Sequence, residues 1–154
     1  MTATAGAGRE LWIAESWIYQ LLQADAILEA LLPGTNAQTI WPGIAPTGTP
    51  EPYVIVSFQG SSDVNGLGSG LARILSSVLY QVAAYGPYST LGKLAPISQR
   101  IDELLHGKAG SLLDGATVLG TVLSCVRERP LTLPEVAGGR QYRRLGGVYR
   151  LQVQ

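Results

Sequence analysis

The stretch GPYSTLGKL, residues 86–94, brings a glycine and a lysine together between a predicted strand and a predicted helix. A phosphate-binding loop requires a glycine, four residues and then Gly-Lys-Ser/Thr, so that successive backbone N–H groups surround the phosphates. Here five residues separate the two glycines, a leucine follows Lys93, and Pro87 removes a backbone donor. The pattern instead favours a strand end followed by a helix that Ser89 or Thr90 caps.

The remaining groups that could do chemistry are few. Cys125 is the only cysteine and His106 the only histidine, which excludes an intrachain disulfide and a Cys/His zinc site. Cys125 lies in the apolar run VLGTVLSCV, which predicts a buried thiol, and His106 is predicted beside the last carbonyls of a helix. The adjacent Asp102 and Glu103 point about 100° apart on a helix, which favours a solvated face. We therefore assign no catalytic, cofactor-binding or metal-ligating residue and expect no enzyme activity.

Length and composition indicate one compact unit with a surface that is poor in charge. The 154 residues suit a single domain, which we place at residues 11–154 after a flexible N-terminal tail of residues 1–10. With 46% hydrophobic and 14% charged residues, much of the surface is uncharged, and burial in an assembly would account for that. The first ten residues lack the features of a secretion signal, and no apolar run approaches roughly 20 residues. We expect a soluble, intracellular protein without a membrane partner.

The clearest predicted element is a helix over residues 11–32. Its apolar stripe, which we predict to be core, contains Ala14, Trp17, Leu21, Ala24, Leu28 and Leu31. On the same helical wheel Trp12 and Tyr19 fall among polar residues, which predicts either a partner surface or a cover formed by the N-terminal tail.

The other predicted elements follow from proline positions and periodicity. In chain order they are an extended connection over 33–52, a strand over 53–60, a flexible glycine-rich loop over 61–70, a strand over 73–86, a helix over 89–106, and strands over 116–130 and 143–154. Pro96 must kink the second helix or mark its true first turn. The last strand alternates, with an apolar face that includes Tyr149 and a wet face that includes Val148. This order predicts an α+β fold, with a mainly antiparallel four-stranded sheet and both helices packed on one face.

Charge is divided unevenly along the chain. From Arg127 onward six arginines face two glutamates, which gives +4, so residues 1–126 carry −4 in a chain of zero net charge. Such a division is compatible with nucleic-acid contact, with head-to-tail pairing of copies, or with a solvated basic strand.

Four blocks of sequence carry a family resemblance. YVIVSF, VLYQVAAYG, RIDELLHG, and CVRERP leading into YRRLGGVYRLQV resemble, in this order and spacing, the tail terminator or tail completion proteins of long-tailed bacteriophages and related tail-like particles. The similarity covers roughly residues 10–154. It implies a hexameric ring on the end of the tail tube that halts tube polymerisation and joins the head connector. It also implies a virion protein, at the head-proximal end of the tail, that is assembled in the host cytoplasm. No cofactor or activity belongs to that family, and DNA would pass through the lumen without sequence-specific binding.

The interface candidates come from pattern and charge alone. They are Trp12, Tyr19, Asp25, Glu29, Asp63, Arg127, Arg129, Arg140, Arg143 and Arg144. In a head-to-tail ring the arginines would meet acidic groups of a neighbour, and the stretch that holds Arg143 and Arg144 is expected to border a strand. Two other functions remain open: a neck or head-completion adaptor of the same particle, and a small nucleotide-dependent enzyme that uses residues 86–94.

Overall fold

The computed structural model describes residues 8–68, 70 and 72–154. Its elements are α1 Arg9–Gln23, α2 Ala26–Leu31, α3 Asn36–Thr39, β1 Ile40–Pro42, β2 Tyr53–Asn65, β3 Arg73–Gly86, α4 Ala95–Leu105, β4 Lys108–Asp114, β5 Thr117–Ala137 and β6 Arg140–Val153. Residues 1–7 of the predicted flexible tail lie outside the described residues, whereas Arg9 and Glu10 already belong to α1. None of the described helices is long and apolar enough to cross a membrane.

The sheet has six strands in the order β1-β2-β3-β6-β5-β4. β1 runs parallel to β2, and all the other neighbours are antiparallel. The predicted fold class, a four-stranded sheet with two helices, is therefore wrong. The two strands that it omits are the edge strands: β1, which is three residues long and lies in the proline-rich connection, and β4, which forms a hairpin with β5.

The long predicted helix is broken into two. The helix is interrupted at Asp25. The Asp25 carboxylate accepts the backbone N–H of Leu28 at 2.8 Å and is therefore the N-cap of a new helix, α2. The buried amide of Asn36 donates to the carbonyls of Leu22 at 3.0 Å, Gln23 at 3.2 Å and Asp25 at 3.0 Å. These bonds tie the last turn of α1 and the N-cap of α2 to one side chain, so Asn36 stabilises the break together with the Asp25 cap.

The break changes which residues form the core. The buried face of α1 consists of Glu10, Ile13, Ala14, Trp17, Ile18 and Leu22. Of the predicted stripe, Ala14, Trp17 and Leu28 are buried, but Leu21 is only partly buried, Ala24 is exposed and Leu31 is 38% exposed. A single wheel over 11–32 fails for two reasons: the buried face of α1 passes through Ile18 and Leu22 instead of Leu21, and α2 is a separate helix after Asp25.

The second predicted helix is shorter than expected. α4 begins at Ala95 with Pro96 in its first turn, where a missing N–H costs nothing, so the alternative of a true first turn at Pro96 is confirmed. The predicted caps Ser89 and Thr90 lie outside the helix, which leaves that prediction wrong. The other strand limits also shift, since β2 continues to Asn65 through half of the predicted glycine-rich loop.

Two tyrosines fix both helices to the same face of the sheet. Tyr80 of β3 and Tyr149 of β6 are paired in register and buried. The Tyr80 hydroxyl donates to the Leu11 carbonyl of α1 at 3.1 Å, and the Tyr149 hydroxyl donates to the Asp102 carboxylate of α4 at 3.0 Å. Asp102 is thus turned toward the sheet and not toward solvent as predicted. On the opposite side of β6, Val148 is 1% exposed, although the alternation predicted a wet face there.

The sheet curls around α1. Gln20 of α1 donates its side-chain N–H to the Leu113 carbonyl of β4 at 3.2 Å, and the same residue lines a groove with Pro42 of β1. β1 and β4 are opposite edges of the sheet, so both edges approach the helix. The outward side of α1 therefore lies in the opening between two sheet edges.

Candidate interaction surfaces

In residues 86–94, the segment compared with a phosphate loop, side chains of the segment itself fill the space around Gly86 and Lys93. The ring of Tyr88 fills the space beside Gly86 that a Cβ would need. The Lys93 ammonium lies 5.4 Å from the centre of the same ring, in a cation–π contact. Among the described residues, no three His, Cys, Asp or Glu side chains cluster closely enough to hold a metal ion.

Cys125 and His106 also have roles in the fold, Cys125 as a buried core residue and His106 as a hydrogen-bond acceptor for the backbone. Cys125 is fully buried, as predicted, and burial raises the pKa of its thiol to about 12, with a further contribution from Asp102. The Nδ1 atom of His106 accepts the backbone N–H of Arg127 at 3.0 Å. That contact lies just beyond Lys108–Cys125, the last pair between β4 and β5, so the imidazole satisfies the next donor along the β5 edge.

The first candidate surface, which we call the α1 groove, lies between the two sheet edges. It is an open depression of about 390 Å³ lined by Trp12, Glu15, Ser16, Tyr19, Gln20, Gln23 and Pro42. Trp12 is 49% exposed, as its place on the wheel predicted. Tyr19 is partly buried, and its hydroxyl is buried without a hydrogen-bond partner in the described chain. Burial raises the pKa of the Tyr19 hydroxyl and of the Glu15 carboxyl, and the Glu15 charge adds to the effect on Tyr19.

The second candidate surface lies on the face of the sheet that no described helix covers. This tyrosine groove, of about 300 Å³, is lined by Gly43, Ile44, Ala45, Tyr53, Ile55, Tyr85, Glu135, Tyr142 and Arg144. The rings of Tyr53 and Tyr85 stack with centroids 5.7 Å apart, and the Arg144 guanidinium lies 4.8 Å from the Tyr85 centroid. Ile44 at the rim is 84% exposed. The groove therefore presents aromatic and aliphatic area beside charged groups that are held in place.

Sequence reasoning missed these tyrosines, although a signal existed. The strands predicted over residues 53–60 and 73–86 pair as a hairpin whose outer ends lie together, and Tyr53 and Tyr85 are a register pair at those ends. Tyr142 joins them from the β5–β6 hairpin, where its hydroxyl donates to Glu51 at 2.7 Å.

Five of the eight charged interface candidates have ion-pair partners within the chain. These pairs are Asp25–Arg100 at 2.7 Å, Asp63–Arg73 at 3.1 Å, Arg127–Asp102 at 3.6 Å, Arg140–Glu51 at 3.5 Å and Arg144–Glu135 at 2.9 Å. In the described part of the chain, Glu29, Arg129 and Arg143 make no ion pair. The charge division is thus partly neutralised inside each copy.

Arg143 and Arg144 do not border a strand as expected. They lie within β6, opposite Gly86 and Tyr85 of β3 on one side and Pro134 and Leu133 of β5 on the other. Their Nε–H groups are buried and donate to no partner among the described residues. Reversing their charge would therefore disturb the sheet as well as any interface.

Comparison with known proteins identifies the family. A solved chain described as part of the virion of a native gene transfer agent particle covers 99% of this chain with 98% of its own length, at 19% identity and a TM-score of 0.63. That likeness shows a shared fold. No curated protein matches the chain. The family model for tail completion protein gp17 matches residues 16–138, which confirms the resemblance carried by the four sequence blocks. The chain therefore belongs to the tail completion protein gp17 family and has a structural role in virion tail completion.

Proposed function

We propose that six copies of the chain form a closed ring on the head-proximal end of the tail tube, stop tube polymerisation and present the surface that joins the head connector. The observation that carries this proposal is the family match over residues 16–138, since tail completion requires a protein that acts at a tube end. The number of copies is what the sequence resemblance implies. The ring is built in the host cytoplasm, and duplex DNA passes through its lumen without sequence recognition.

Two unlike surfaces on one chain support the ring geometry. A ring built from one repeated heterologous contact needs two different and complementary patches on each copy. The α1 groove lies on the helix side of the molecule, and the tyrosine groove lies on the uncovered face of the sheet. One copy therefore offers different chemistry on its two sides.

Exposed apolar side chains are the main source of affinity in this proposal. They include Trp12, Ile44, Val64, Ile74, Leu133 and Val136, each 43–84% exposed. Exposed ion pairs contribute only about 0–1 kcal/mol each, so the charges orient the copies and apolar burial holds them together. Added salt should weaken the ring without abolishing it.

Electron micrographs and sedimentation of the purified protein test the proposal, with and without tail tubes. We expect closed six-fold rings, either free or on one end of each tube. A protein that bound purified head connectors but ignored tube ends would be a neck adaptor, and the terminator function would be wrong.

A further inference from the structure

We infer that the α1 groove receives an arginine side chain from a second copy of this chain, and that Glu15 is the carboxylate that binds it. This inference rests on the proposed ring and names the chemistry of its contact. Glu15 is not among the residues that charge or periodicity had singled out as interface candidates.

Three groups in the groove share one stripe of α1. Trp12, Glu15 and Tyr19 are three and four residues apart, so their side chains are neighbours on the helix surface. Glu15 makes no ion pair within residues 8–68, 70 and 72–154. The Tyr19 hydroxyl has no hydrogen-bond partner there either. Trp12 leaves half of its indole in solvent. Because the Tyr19 hydroxyl is buried in the free chain, the groove offers an incoming group an unpaired carboxylate and an open aromatic face.

A guanidinium matches these two groups better than other side chains do. Its planar fork can donate two hydrogen bonds to one carboxylate. Its flat face stacks on an indole, and its weak hydration lowers the cost of leaving water. An ammonium group lacks the fork and the flat face, and an apolar side chain would leave the Glu15 charge buried without a partner.

Arg129 is the arginine best placed to be donated. Four of the arginines from position 127 onward already hold a carboxylate of their own copy: Arg127, Arg140, Arg144 and Arg150. Arg143 is half-buried within β6. Arg129 is exposed on β5 and has no ion pair in the described residues.

The neighbours of Arg129 on β5 suit the same contact. Val126, Arg129, Leu131 and Leu133 lie opposite alternate residues of β6, namely Arg150, Val148, Gly146 and Arg144. They therefore share one face of the strand. Val126 and Leu133 are each 45% exposed, so aliphatic area flanks the guanidinium and would cover the rim of the groove.

The two halves of this contact cannot meet within one molecule. The α1 groove lies on the helix side, whereas the row that contains Arg129 lies on the uncovered face of the sheet. The contact must therefore run from one copy to the next, which is the heterologous arrangement that closes a ring. Burial raises the pKa of Glu15, because the groove partly removes its carboxylate from water.

A charge-swap experiment tests the inference directly. Sedimentation velocity, with and without tube ends, would compare the wild type with Glu15→Arg, Arg129→Glu and the double variant. Each single variant should weaken association at least about tenfold, because it places like charges together, and the double variant should recover most of the loss. Asp114→Arg is the matched control, since Asp114 is an exposed carboxylate that makes no ion pair in the described chain and lies at the end of β4, outside the groove lining. We expect it to assemble like the wild type.

The outcomes separate the inference from the proposed ring. Melting curves check that each variant is folded, and Glu15→Gln provides a milder change that should also weaken association. Single variants that assemble normally, or a double variant that gains nothing over the singles, would overturn the Glu15–Arg129 contact while wild-type rings remained. A wild-type protein that stays monomeric even with tube ends would overturn both.

Discussion

The two faces of the sheet differ in how deeply their side chains are buried and in whether their polar groups are hydrogen-bonded to helices. The covered face holds Val78, Tyr80, Val82, Tyr149 and Leu151, all at most 3% exposed, with both hydroxyls bonded to helices. The uncovered face holds the Tyr53–Tyr85 stack, Arg144 and the half-exposed Leu133. Apolar rings with polar tips and long charged chains are stable in water and equally suited to burial by a neighbour. The covered face thus stabilises the monomer, and the uncovered face is available for assembly.

The largest expected effect separates core from surface on one helix. Leu22→Ala removes a side chain with 0% exposure and should lower the free energy of unfolding by about 2–5 kcal/mol. Leu21→Ala, its neighbour and matched control, removes a partly buried side chain and should cost clearly less. Urea denaturation of both variants measures the difference, and equal losses would contradict the assignment of the α1 core face.

The next effect concerns Asp25, which sequence analysis placed at the interface. Asp25→Ala should destabilise the monomer by about 1–2 kcal/mol, because Asp25 both caps α2 and binds Arg100. The hydrogen bond from Arg100 lowers the pKa of Asp25. A lowered folded-state pKa gives stability that is full above about pH 4 and is lost as the pH falls through the folded pKa. Unfolding measured from pH 7 to pH 2 should show a smaller acid loss in the variant, and identical pH profiles would refute this role.

Trp12→Ala should have a smaller effect on the monomer, of about 1 kcal/mol or less, because half of the indole is already in water. Its main effect should be weaker association, since the indole is an open wall of the α1 groove. Thermal melts in a monomeric background, beside sedimentation of the assembled form, distinguish the two. A drop in melting temperature as large as that of Leu22→Ala would place Trp12 in the core.

The last prediction is that nucleotides have no effect on the protein. ATP or GTP at millimolar concentration should neither bind nor be hydrolysed, because residues 86–94 lack the spacing and one backbone donor of a phosphate loop. Isothermal titration measures binding directly. Saturable binding that Lys93→Ala abolishes would revive the nucleotide-dependent alternative.

Periodicity found the long elements and missed the short ones. The β2–β3 hairpin and the last strand carry enough β-branched and aromatic residues to be recognised. β1 has three residues, one of them a proline, so it has no period to detect. β5 extends past its predicted end at residue 130 to Ala137. Pro130 and Pro134 are tolerated in it because no described strand pairs with that stretch on its other side.

The candidate surfaces were predictable only where they are local. The wheel brought Trp12 and Tyr19 together because both lie on one helix. The pairing of the charged residues within the chain was not predictable, because an ion pair such as Asp25–Arg100 joins residues 75 positions apart. Charge counts along a sequence do not reveal which carboxylates the fold has already paired.

Tail tube polymerisation tests the central claim most directly. Purified tube protein would be elongated from a seed while electron micrographs record tube lengths with and without this chain. We predict that the wild type halts growth, narrows the length distribution and leaves one six-fold ring at the growing end of each tube. Tubes that keep growing at the same rate, with the protein monomeric and absent from their ends, would contradict the account.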